Sequence, residues 1–169
     1  NRTTEKALEH RGIVRAWRRT RSRKPCSPAK KLFDTYKAAA VTTATPGSLL
    51  LMLYDGAIKF MWIADKAFDE EDPLVHNQTI HNNLLKAQAI VRELRAALIA
   101  GDDKDRVDLV NNLIALYDYF DRRLQEANIK KNREFVQEII KRMTELREAW
   151  HESFEKEKLN QTTGNGSGN

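Results

Sequence analysis

Apolar positions recur at steps of three and four along most of the chain. The clearest run is Ile80, Leu84, Ala87, Val91, Leu94 and Leu98, a spacing that holds every member on one face of an α-helix. The rhythm returns in Val107, Val110, Leu113, Tyr117, Phe120, Leu124 and Ala127, and again in Phe135, Ile139, Met143, Leu146, Trp150 and Phe154. Ahead of these, Leu50, Leu53, Ala57, Phe60 and Ala64 form a fourth stripe. No segment shows the strict alternation of a half-buried strand, so the pattern predicts an all-α protein.

Start and stop signals bracket the same segments. Thr45 before Pro46 offers a cap followed by proline at the first helical position, where its missing N–H costs nothing. That helix is expected to run to about Glu71. Asp72–Pro73 repeats the signal for the second helix, Gly101 suits the residue just past its end, and Asp102 or Asp103 can cap the third. Asn132 can cap the fourth. Short links between long helices make neighbours antiparallel, and 3/4 spacing packs them at a shallow angle. The expected fold is an antiparallel up-down four-helix bundle over residues 46–160.

The first helix carries more apolar surface than a bundle needs. Leu49 to Tyr54 is an unbroken apolar run, and a second stripe of Leu51, Tyr54, Ile58 and Trp62 lies beside the core-facing one. A wide contact within the bundle would absorb it, or residues 32–44 would fold back over it. A groove for a partner's amphipathic helix would use it as a floor. Four such side chains, desolvated at about 1.5–3 kcal/mol each, supply enough for a micromolar partner after the cost of association. Both arrangements hold together if residues 32–44 cover the groove until a partner displaces them.

Charge divides the chain in two. Residues 1–31 hold eleven Lys and Arg against two Asp and Glu, a net +9, whereas residues 32–169 carry a net −4. The body is therefore mildly acidic and the +5 of the whole chain comes from a basic arm, read as flexible. Residues 161–169, QTTGNGSGN, read as a disordered tail. No apolar run approaches the ~18–20 residues of a bilayer span and none follows the basic start as a secretory signal requires, so a cytoplasmic protein without membrane insertion is expected. A single cysteine, Cys26, excludes an internal disulfide and a cysteine-based zinc site.

Catalytic chemistry finds little support. Glu148 and His151 make one Glu-x-x-His, but a di-iron bundle needs two such motifs and further inward carboxylates; they read as a solvated face, and no metal or other cofactor is expected. His76 and His81 are five apart and do not share a face. Asp118 four residues before Arg122, and Asp55 four before Lys59, read as surface pairs along one helix. There is no glycine-rich phosphate loop and no nucleophile elbow, so neither an enzyme nor a small-molecule substrate is expected. The rival signal is Trp17 among Arg15, Arg18, Arg19, Arg21 and Arg23, the composition of a peptide that stacks on bases and binds phosphates. The alternative function is thus a helical bundle that binds nucleic acid through its arm.

Three stretches resemble a known family, the flagellar secretion chaperones that bind flagellin. They are Tyr36 with AAAVTTATPGSLLLMLYDGAIKF over residues 38–60, NLLKAQAIVREL over 83–94, and LYDYFDRRLQEANIKKN over 116–132, supported by LREAW over 146–150. The similarity covers residues 34–156 in order. It implies an antiparallel helical bundle that binds the C-terminal helical region of unpolymerised flagellin and delivers it to the flagellar type III export gate. It also implies a capping segment before the first helix, placed at Tyr36 to Thr43 and including Val41 and Thr42; the capping segment as a domain is read over residues 32–45. Tyr117, Asp118, Tyr119, Arg122, Arg123 and Asn128 fall on the family motif. Tyr117 is expected in the core and Tyr119 nearer the surface, while Arg122, Arg123 and Asn128 fix the third helix against its neighbours. Leu51, Tyr54, Ile58 and Trp62 as the groove floor follow from the second stripe and not from the resemblance. Residues 1–31 have no counterpart in the family pattern; an artefact, either of the assigned start or of an added segment, is expected, with a genuine extension as the alternative.

Overall fold

The computed structural model describes residues 46–99 and 107–164. They form four helices: α1 (Pro46–Ala67), α2 (Pro73–Ile99), α3 (Val107–Lys130) and α4 (Arg133–Gly164). The basic arm, the capping segment with Tyr36, Val41 and Thr42, the Thr45 cap, the Gly101–Asp103 signals and residues 165–169 lie outside the described residues.

The helices pack in chain order as a closed ring, α1 on α2, α2 on α3, α3 on α4 and α4 on α1. Each seam is antiparallel, because residue numbers fall on one side as they rise on the other. Lys86 lies over the Phe60 ring and His76 against Phe68 on the α1–α2 seam. Arg95 meets Asp118 and His81 meets Asn128 on α2–α3. Arg123 lies over the Phe135 ring and Arg142 over the Tyr119 ring on α3–α4. Arg133 meets Asp65, and Arg147 meets Asp55, on α4–α1. This is the expected up-down four-helix bundle.

Helix ends follow the chemistry of their residues. Asp72 caps α2, its Oδ1 accepting from the N–H groups of Leu74 at 2.8 Å and Val75 at 3.4 Å, two donors that a helix start leaves without partners. α1 stops at Ala67, four residues short of its expected end, in a run of tight turn bonds from Phe68, Asp69 and Glu70 back to Asp65, Lys66 and Ala67. At the α3–α4 corner Lys131 takes φ 49°, and the Asn132 N–H reaches back to the Ala127 carbonyl at 3.1 Å. This is the six-to-one bond of a Schellman end, with lysine where glycine is usual. Asn132 then caps α4 through a 3.2 Å bond from the Phe135 N–H. α4 continues to Gly164, four residues past the boundary expected at 160.

The core follows the 3/4 stripes closely on three helices. Leu50, Leu53, Ala57, Phe60 and Ala64 are buried, as are all six members of the α2 run and Leu113, Tyr117, Phe120, Leu124 and Ala127 of α3. Val107, by contrast, is exposed at the start of α3, and Val110 is half-buried. On α4 the buried set is Val136, Ile139, Ile140, Met143 and Trp150, while Phe135, Leu146 and Phe154 are half-buried against it. The α4 stripe is therefore broader than the sequence spacing indicated. By length and composition, α1 from Gly47 to Ala67 is long and apolar enough to cross a membrane, with mean hydropathy 1.3, although no unbroken apolar run reaches that length. In this fold it is a core helix, packed on α2 and α4.

Candidate partner-binding surface

An α-helix turns about 100° per residue, so Leu51, Ile58 and Trp62 fall within about 40° of one another on α1. Leu51 and Ile58 are half-buried, and Trp62 is 48% exposed. This stripe runs along the outer side of α1, towards α4. Asp55 lies on the same stripe, and its carboxylate takes a two-pronged bond from Arg147 of α4, at 2.9 and 3.2 Å. The local Asp55–Lys59 pair expected from sequence is thus replaced by a bond across the seam. Guanidinium matches carboxylate geometry in two places at once, which a lysine ammonium cannot do.

Tyr54 belongs elsewhere. It lies about 60° from Leu51, turned inward, and its side chain is fully buried. Its hydroxyl is hydrogen-bonded to the Tyr117 hydroxyl of α3 and accepts from Trp150 Nε1 of α4 at 3.2 Å. Burial pushes both phenols up, Tyr117 to about 12 and Tyr54 well above its ordinary value. The sequence placed Tyr54 on the groove floor; the structure places it in a three-residue polar link through the core. Such a link satisfies buried polar atoms that would otherwise cost stability.

The motif of α3 joins its helix to both neighbours. Asp118 pairs with Arg95 of α2 rather than with Arg122 on its own helix. Asp121 is bound by Arg92 through both carboxylate oxygens and receives Gln88 Nε2 at 2.9 Å. Tyr117 is in the core and Tyr119 is half-buried, donating its hydroxyl to Glu138 of α4. Arg123 binds Glu138 at 3.1 Å and stacks on Phe135. Asn128 is buried; Lys131 Nζ donates to its Oδ1 at 2.8 Å, which leaves its Nδ2 to donate to His81 Nδ1 at 3.1 Å. Arg122 is exposed, and among the described residues it makes no side-chain hydrogen bond or ion pair. Two of the three residues expected to fix α3, Arg123 and Asn128, touch the adjacent helices, and Arg122 does not.

Each end of the α1–α4 seam has its own fastening. At one end Arg133 reaches both Asp65 and Asp69 of α1, with Gln137 Nε2 also on Asp65 Oδ1 at 3.0 Å. Asp65 is buried and Asp69 exposed, so the guanidinium spans from interior to solvent. At the other end Phe154 stacks on Trp150 with centroids 6.1 Å apart. It also lies where a side chain on Gly47 would begin, within 3.1 Å of that Cβ position. No sequence signal marked the Arg133 clamp or the contact of Phe154 with Gly47, because those partners lie far apart along the chain.

Among the described residues no group of three His, Cys, Asp or Glu side chains could hold a metal ion. Glu148 and His151 are exposed. Several of the ion pairs described cross helix seams, and the outer stripe of α1 leaves Trp62 half exposed beside Leu51 and Ile58.

The family model for the flagellar protein FliS matches residues 29–157. The flagellar secretion chaperone FliS of Bacillus subtilis (strain 168) is 36% identical over 75% of this chain and 88% of its own length. Its counterpart from Escherichia coli (strain K12) is 32% identical over 69% of this chain and 81% of its own length. That of Salmonella typhimurium is 29% identical over 66% and 78%.

Proposed function

Because the chain belongs to the FliS family and so acts as a chaperone in flagellar export, we propose that its client is the C-terminal helical region of flagellin. In this reading the bundle holds that region in the cytoplasm, keeps it from polymerising, and delivers it to the export gate. The observation that carries the reading is the outer stripe of α1. Leu51 and Ile58 are half-buried there and Trp62 is half exposed, while Asp55 beside them is held across the seam by Arg147. A large aromatic left open beside aliphatic side chains is the usual anchor for an incoming helix.

Calorimetric titration with a peptide spanning the C-terminal helical region of the cognate flagellin tests it. The expected result is saturable one-to-one binding, weakened more than about tenfold by Trp62→Ala or Ile58→Asp. Binding that ignores both substitutions would keep the client and discard the surface. Absence of binding would discard the client. The same titration on a chain lacking residues 1–31 separates this function from nucleic-acid binding by the arm: peptide affinity is expected to persist.

A further inference from the structure

The α1 face around Trp62 also carries charge that the bundle leaves unanswered. Lys59 and Lys66 are both exposed, and among the described residues neither has an ion-pair partner. They lie seven residues apart, hence on one flank of the helix and about 10 Å apart along its axis. Trp62 sits between them, and Ile58 and Leu51 continue the apolar stripe at steps of four and seven. Asp55 on this face is already held by Arg147, and Asp65 and Asp69 on either side of Lys66 in sequence are held by Arg133. The result is a positive margin beside an apolar stripe, on a body that is net negative over residues 32–169.

We propose that this face receives an amphipathic helix whose apolar stripe is bordered by two carboxylates one heptad apart, set against Lys59 and Lys66. The inference rests on the client reading above and specifies the chemistry of the bound segment. Helices with 3/4 stripes pack at shallow crossing angles, so a partner stays alongside α1 for two turns. Carboxylates at i and i+7 then meet both lysines in one register.

Charge also decides between occupants. Residues 1–31 of this chain carry a net +9 and would be repelled by the lysine margin. Residues 32–45 hold one aspartate, Asp34, and one lysine, Lys37, so they bring no net charge to answer it. A second copy docking on the same face would bring the same two lysines. An acidic-flanked helix from another protein answers both the apolar and the charged features. An anionic bilayer would answer them too, and the experiment separates it.

The test is titration of the full chain with the cognate flagellin C-terminal peptide at low and high salt, for the native protein and for K59E/K66E. The expected result is about tenfold weaker binding by the variant at low salt, narrowing at high salt as screening removes the contribution. A peptide with its two flanking acids changed to lysine should regain affinity for K59E/K66E alone. Both lysines are exposed and have no ion-pair partner among the described residues, so folding should be unaffected; K59Q/K66Q provides a milder version if it is not. Should the native protein bind the peptide while K59E/K66E and K59Q/K66Q bind it within twofold as well, the acidic-flank inference is wrong and the client reading survives. If the native protein fails to bind at either salt concentration, the client reading falls and takes this inference with it. Vesicles of phosphatidylserine and phosphatidylcholine form the last arm. Sedimentation with them that K59E/K66E abolishes, with peptide affinity unchanged, would assign the lysines to a lipid surface and overturn the proposal.

Discussion

Changing Tyr54 to phenylalanine keeps the ring and the core volume but removes the hydroxyl that joins Tyr117 to Trp150. Two buried polar groups then lose a partner, and the expected loss of stability is about 1–3 kcal/mol, read from the urea midpoint. An unchanged midpoint would show that the link contributes nothing net. This residue also marks a limit of sequence reading. The run from Leu49 to Tyr54 is apolar on every side of the helix, so periodicity gives no phase, and Tyr54 was legible as apolar surface but not as core. Asp55 and Asp118 illustrate a second limit. Their neighbours four residues on were visible, whereas Arg147 and Arg95 become available only once the register of the bundle is set. Conversely, the caps at Asp72 and Asn132 act over three residues and could be read directly.

At the level of elements, the α3–α4 seam is sensitive to acid. Glu138 accepts from the Tyr119 hydroxyl, Arg123 and Arg142, and these bonds, the Tyr119 one first, hold its carboxyl below the ordinary glutamate range. Glu126 is lowered by Lys130 and then Arg123. A depressed folded-state value means the contribution is complete above the ordinary glutamate value. It is lost as pH falls through the folded one. Acidification below about pH 4 should therefore weaken the seam. Glu138→Gln should lower stability at neutral pH and flatten the acid limb of a plot of melting temperature against pH. Glu93 of α2 acts with the opposite sign. Burial raises its carboxyl, so its cost appears as pH rises above the ordinary glutamate range and is fully present once pH exceeds the folded value. The element pattern itself was readable throughout α2, where every stripe residue is buried. On α4 it was narrower than the true core, because Val136 and Ile140 sit one step beside the chosen stripe.

For the molecule as a whole, one core runs through all four helices, and the bundle should unfold as one unit. Trp150 is buried and Trp62 half exposed. In a chain with Trp17 and Trp62 replaced by phenylalanine, fluorescence therefore reports the core beside α4. Its denaturation curve is expected to coincide with that of helix content by far-ultraviolet circular dichroism. Separate midpoints would divide the bundle into parts of unequal stability.

The contact between Gly47 and Phe154 has a consequence for topology. It sets the start of α1 level with a point on α4 ten residues before that helix ends, so α4 overhangs by about 15 Å. The described body therefore begins and ends on the same side, separated by little more than this overhang. About five extended residues would span it. Circular permutation follows naturally: a chain joined from 164 to 46 by such a linker, and opened instead at the α1–α2 corner, would trace the same ring of helices from a different first residue.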